Sequence, residues 1–188
     1  MERIALRPLA FAVVASCLVG IAAASAPAAP ADHPHTILAA RDGLESPVVS
    51  LINQVRRCHG LPGLRASVQL GRAAVAHASA MGRGGFFSHA SADGASAGAR
   101  IRRHYDVSRS SRWRVGETLL WRSPDVTPQE SVRMWLDSPA HRHVLLHPAF
   151  REIGVAGEIG VAAVHVFQAP GQFGHRDVML VVADFGVR

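Results

Sequence analysis

Two hydrophobic patterns divide this chain, and their order limits the folds that it can adopt. Up to about residue 147, apolar residues recur at helical spacing, and the first two of these segments begin with a serine that can cap a helix and end at glycines. After this point come runs rich in β-branched residues, separated by Gly and Pro, at 152–159, 161–168 and 178–185. We therefore predict an α+β fold, in which helices cover a small antiparallel sheet.

Five segments carry helical signals. They are Ser46 to Gly60, Ser67 to about Arg83, Ala97 to His104, Thr127 to Leu136, and a short turn that starts at Ser138-Pro139. The second segment has Ser67 as its N-cap and Gly84-Gly85 at its end. The fourth opens with a capping box, in which Thr127 and Glu130 pair and Pro128 takes the first helical position.

The first 28 residues have the pattern of a secretory signal peptide. Arg3 and Arg7 precede an apolar run from Leu9 to Ala24, and small residues and prolines follow it. The residues before Cys17 also resemble a lipobox, but those after it stay apolar, so we favour secretion over a lipid anchor at Cys17. No other segment approaches the ~18 apolar residues of a membrane span.

The rest of the chain divides into a linker and one domain. Residues 29–45 are rich in Ala and Pro and are predicted to be a linker, and 46–188 form the domain, which we expect to be monomeric. Removal of the signal peptide leaves Cys58 as the only thiol, so no disulfide within the domain is expected. The 20 basic residues are all Arg, which excludes a Schiff-base or P-loop lysine.

Five short motifs follow one another along the domain. They are Phe86-Phe87-Ser88-His89, Gly116-Glu117-Thr118, Trp135 to Arg142, Phe150 to Val155, and Ala183 to Gly186. In order and spacing these motifs resemble the CAP superfamily, the SCP-like extracellular proteins, in its bacterial form. The resemblance covers residues 46–188 and implies a three-layer α-β-α sandwich with a central cleft.

In that family the cleft is lined by two His and one or two acidic residues. Matched position by position, the resemblance implies His89, Glu117 and His141 as the site. The sequence departs from the family pattern at three positions: Thr118 replaces Asn, Ala140 replaces Gly, and Ser138 stands where eukaryotic members carry a second Glu. A three-residue site is therefore expected, with Asp137 as a neighbour.

Two imidazoles and a carboxylate in one cleft can act in three ways. They can hold Zn²⁺ or another divalent metal ion with an open coordination position, with His89, His141 and Glu117 as ligands. They can act without metal as an acid and a base, or form a structural hydrogen-bond network. The matched motifs contain no obvious nucleophile, and the family is linked mostly to binding. We predict a secreted protein that binds a lipid, cell-wall or protein ligand, with a peptidase- or esterase-type hydrolase as the alternative.

Basic residues are concentrated between the His89 and Glu117 motifs. This segment contains Arg100, Arg102, Arg103, Arg109, Arg112 and Arg114 against a single acid, Asp106. Such a segment can form a solvated surface, or it can bind an anionic surface such as lipid headgroups or a wall polymer. Secretion argues against nucleic acid as the partner.

Overall fold

The computed structural model describes residues 37–38, 42–108, 113–152 and 155–188. The helices within these ranges are α1 (Asp42–Cys58), α2 (Val68–Gly84), α3 (Ala97–Ile101), α4 (Pro128–Asp137) and α5 (Pro139–Leu145), with single 3₁₀ turns at Pro148–Phe150 and Gly171–Phe173. The strands are β1 (Ile37–Leu38), β2 (Arg65–Ala66), β3 (Arg114–Arg122), β4 (Arg151–Glu152), β5 (Val155–Ala156), β6 (Glu158–Ala169) and β7 (Arg176–Val187). The predicted signal peptide with Cys17, as well as Arg109 and Arg112, lies outside the described residues. No helix within the described ranges is long and apolar enough to cross a membrane.

One mixed sheet forms the middle of the fold. Its strand order is β1-β6-β7-β3 with antiparallel neighbours, and β2 runs parallel to the start of β6. Asp184 of β7 is paired with Glu117 of β3 on one side and with Gly160 of β6 on the other. Because directly paired residues point to the same face of a sheet, these three positions share one face.

Helices cover both faces of this sheet. Alternate residues of β6 and β7 enter two separate cores: Val161 and Val181 pack with α1, α4 and α5, whereas Ala162 and Val182 pack with α2. Strands buried on both faces in this way form the middle layer of a sandwich. The structure therefore confirms the predicted α+β class and three-layer α-β-α arrangement.

Local capping signals agree with the observed helix ends. The side chain of Ser67 accepts a hydrogen bond from the backbone N–H of Leu70 at the start of α2, and Gly85 ends that helix in the left-handed conformation, with φ 65°. The complete capping box between Thr127 and Glu130 opens α4. These caps need only residues within one turn of each other, which is why the sequence predicts them well.

The strands depart from the prediction that they all follow the helices. The whole strand β3 lies between α3 and α4, where no strand was predicted, although Val115, Thr118 and Trp121 are typical strand residues. The predicted runs 152–159 and 161–168 are also not two full strands, because β6 continues through Gly160 from Glu158 to Ala169. The sheet is mixed rather than purely antiparallel, since β2 is parallel to β6.

The predicted linker contains residues that belong to the folded domain. Helix α1 begins at Asp42 rather than at Ser46, because buried Leu44 continues the apolar stripe of Val48 and Ile52 by one turn. Ile37 and Leu38 pair with β6. Helix α3 ends at Ile101, earlier than the predicted His104.

Candidate functional site

His89 lies in the loop after α2, and side chains from other parts of the fold donate hydrogen bonds to the backbone of this loop. His77, buried on α2, lies with its Nε2 2.8 Å from the carbonyl oxygen of Ser88, to which it donates. This contact gives the buried ring of His77 a hydrogen-bond partner and ties the loop to α2. The next side chain, His89, is 55% exposed, so a buried framework presents an accessible imidazole.

Glu117 binds this imidazole from the middle of β3. Its side chain is 1% exposed, and Oε1 lies 2.8 Å from Nδ1 of His89. Because the Glu117 carboxylate is also ion-paired with Arg100, it accepts hydrogen bonds and Nδ1 of His89 carries the proton. In the neutral ring Nε2 then has the lone pair, and no hydrogen bond to Nε2 forms among the residues that the structure describes.

His141 lies opposite His89, in the first turn of α5. The two ring centroids are 6.1 Å apart with a tilt of 58°. Burial lowers the pKa of His141, and the positive charge that His89 can carry lowers it further. The structure therefore brings together the three residues that the family resemblance implied. Asp137 is exposed at the end of α4 and makes no hydrogen bond or ion pair with any of the three within the described ranges.

Arg100 is the most extensively bonded residue of this region, and its role was not predicted. Its guanidinium is buried and forms an ion pair with Oε2 of Glu117. Nη1 donates to the carbonyl oxygen of His89 at 3.0 Å and to Oγ of Ser91 at 3.2 Å. Arg100 therefore fixes both partners of the His89–Glu117 hydrogen bond. Its membership of an Arg-rich segment suggested a surface residue, and no sequence signal distinguishes it from its neighbours.

Asp184 is a second carboxyl beside Glu117. It is fully buried, and its oxygens have no hydrogen bond of normal geometry to any described group. Burial raises the pKa of Asp184 well above the usual value, and the nearby charge of Glu117 raises it further, while Arg100 acts in the opposite direction. The sequence did carry a signal here, because an acid between Ala183 and Phe185 interrupts a run of buried strand residues.

We expect Asp184→Asn to stabilise the protein at neutral pH. The folded protein keeps this carboxyl protonated at pH values where the unfolded chain has already ionised it, so stability falls as pH rises through that window, by about 1.4 kcal/mol per pH unit. Urea unfolding from about pH 3 to about pH 8 should show a difference between variant and wild type that is small in acid and grows with pH. A difference independent of pH would contradict the raised pKa. Exposed Asp137→Asn is the control.

The side chains as arranged do not form a three-ligand metal site. No group of three or more His, Cys, Asp or Glu side chains with the geometry to hold a metal ion occurs in the described part of the chain. Glu117 has one oxygen bonded to His89 and the other to Arg100. A divalent ion bound to Glu117 would therefore lie beside a buried arginine, whose positive charge opposes it.

The Arg-rich segment does not act as one surface. Arg100 is buried in the site, which removes it from the predicted anionic-surface patch. Arg102 lies over the ring of Trp113 at 5.0 Å and Arg103 is 3.7 Å from Asp93, both on the surface. The patch remains a prediction for Arg102, Arg103 and Arg114, and for Arg109 and Arg112, which lie outside the described residues.

Comparisons with known proteins agree with the motifs. A family model described as the cysteine-rich secretory protein family, CAP, matches residues 49–159. The structure resembles an outer surface protein from Borrelia burgdorferi, with a TM-score of 0.56 and 22% identity over 75% of this chain and 90% of that one. It also resembles an SCP-domain extracellular protein from Bacillus anthracis, with a TM-score of 0.51 and 22% identity over 74% of this chain but only 40% of the other. These likenesses show a shared fold. No curated protein sequence matches the chain significantly.

Proposed function

This chain belongs to the cysteine-rich secretory protein (CAP) family, and from that premise we propose that it is a secreted protein that binds a ligand or partner around His89, Glu117 and His141. The observation that supports this proposal is the fixed, outward imidazole of His89, whose Nδ1 is held by Glu117. The ring of His141 is 6.1 Å away, so a single polar group can contact both rings. The buried Arg100–Glu117 pair keeps this arrangement rigid before a ligand arrives.

The openness of the site favours one class of ligand. Three cavities of about 490, 420 and 430 Å³ in the described part of the chain are lined by other residues, among them Leu44 and Val126 for the first, Val49 and Ser50 for the second, and Val75 and Ala76 for the third. An engulfed lipid needs an apolar pocket, whereas His89 is 55% exposed beside a second imidazole. We therefore favour a cell-wall or protein segment that lies across the two histidines over an enclosed lipid.

Co-sedimentation with purified bacterial sacculi, together with native mass spectrometry of gently purified protein, tests this proposal. We expect the wild type to bind sacculi and the His89→Ala/His141→Ala variant to bind at least about tenfold more weakly, because it loses two polar contacts. The matched control is His104→Ala/His143→Ala, which removes two exposed histidines outside the site. Equal weakening in both double variants, or unchanged binding in the first, would contradict the proposal. An apolar ligand found by mass spectrometry would favour lipid instead.

A hydrolase is the second candidate, and the hydrogen bond between His89 and Glu117 is the observation in its favour. A carboxylate that orients an imidazole allows the other ring nitrogen, Nε2, to act as a general base toward water. The matched motifs supply no obvious side-chain nucleophile, so water would be the attacking group. Turnover of a peptide or ester panel that disappears in Glu117→Gln would establish this alternative.

A further inference from the structure

A buried ion pair lies beneath the candidate site, between α3 and the sheet. The side chain of Glu117 is 1% exposed and that of Arg100 is 6% exposed. An arginine side chain stays charged at every accessible pH, and a buried carboxylate without a nearby cation is strongly destabilising. The two residues therefore neutralise each other inside the protein.

The contacts of Arg100 resemble those that a bound cation would make. It bonds a carboxylate oxygen of Glu117, the carbonyl oxygen of His89 and the hydroxyl oxygen of Ser91, so three oxygen atoms from two segments converge on one positive charge. Among the described residues, Arg100 is the one arginine in contact with Glu117. The positive charge at this place is thus part of the chain itself.

A divalent cation at Glu117 would meet this charge directly. Like charges in contact repel strongly where burial lowers the effective dielectric constant, and the carboxylate has no oxygen left without a partner. We propose that Arg100 is the resident cation of this site: it neutralises Glu117 and takes the place that a divalent metal ion would otherwise fill. This inference concerns the same site as the proposed binding function, but its test uses zinc and thermal stability alone.

The test compares zinc binding to the wild type, to Arg100→Met and to Arg102→Met. Titration calorimetry and thermal unfolding with ZnCl₂ or EDTA should show no zinc site in the wild type and a midpoint shift below about 1 °C. Arg100→Met leaves Glu117 buried without a cation, so its midpoint should fall by about 10 °C, and zinc at a hundredfold excess over its Kd should restore about 5 °C. Arg102→Met loses an exposed arginine instead and should resemble the wild type.

Two further variants separate the outcomes. Arg100→Met/Glu117→Gln removes both charges, so it should be more stable than Arg100→Met and should not respond to zinc. One zinc ion bound to the wild type and lost in His89→Ala/His141→Ala would overturn the proposal. So would an Arg100→Met variant that shows no zinc response. If Arg100→Met does not fold alone, its refolding yield with and without zinc is the measurement, and equal yields would count against the proposal. Binding of the wild type to sacculi is measured in a separate experiment. The proposed binding function and the proposed role of Arg100 can therefore fail independently.

Discussion

Gly160→Ala should be among the most damaging single substitutions in this protein, with a loss of at least about 3 kcal/mol in the free energy of unfolding. A Cβ at Gly160 would overlap backbone atoms of Leu70 and Gly71, because α2 rests directly on β6 at this point. Backbone atoms cannot swing aside as side chains do, so the helix would have to move away from the sheet. Gly160 is paired with Asp184, so the displacement would also disturb the buried carboxyl beside Glu117.

Urea and thermal unfolding of Gly160→Ala and Gly71→Ala measure this effect. Gly71 is the matched control because a Cβ there would have no atom within 4 Å apart from its own stretch of helix. Alanine is also the better helix former, so Gly71→Ala should gain up to about 1 kcal/mol. A Gly160→Ala protein as stable as the wild type would show that α2 does not rest on β6 at this residue.

Arg56→Met should cost about 3 kcal/mol, because it removes buried hydrogen bonds that join distant parts of the chain. Arg56 is fully buried, and burial lowers the pKa of its guanidinium. Its donors reach the carbonyl oxygens of Leu145 at 2.7 Å, Pro62 at 3.0 Å and Phe150 at 3.5 Å. Methionine fills most of the same volume but satisfies none of these oxygens.

The same substitution at the next residue is the control for Arg56. Arg57 lies on the same helix and is exposed, so Arg57→Met should change the free energy of unfolding by no more than about 0.5 kcal/mol. Because Leu145 ends the helix that carries His141, Arg56→Met should also shift the imidazole NMR signals of His141. Loss of stability without any change at His141 would show that Arg56 supports the core but not the site.

The helix ends show how far local signals reach. Ser67, Gly85 and the Thr127–Glu130 pair act on the backbone within one turn, so their effect is predictable from neighbouring residues. Strand β3 was missed because its assignment depends on pairing with β7, which follows much later in the chain. The hydrophobic pattern alone also could not join the two runs into β6, because a glycine between two apolar runs is typical of a turn. The structure shows instead that Gly160 lies within the strand, where the backbone of α2 leaves no room for a side chain.

The sequence by itself determined the α+β class, the family and the identity of His89, Glu117 and His141 as candidate site residues, because short motifs and local caps are readable along the chain. Only the tertiary structure decided what neutralises Glu117 and what lies beneath it. In the sequence, nothing distinguishes Arg100 from the neighbouring arginines, and Asp184 is one residue of a predicted strand far from Glu117 along the chain. Their roles arise from strand register and helix packing, which bring residues from α3, β3 and β7 into a region with little water, where every charge needs a partner.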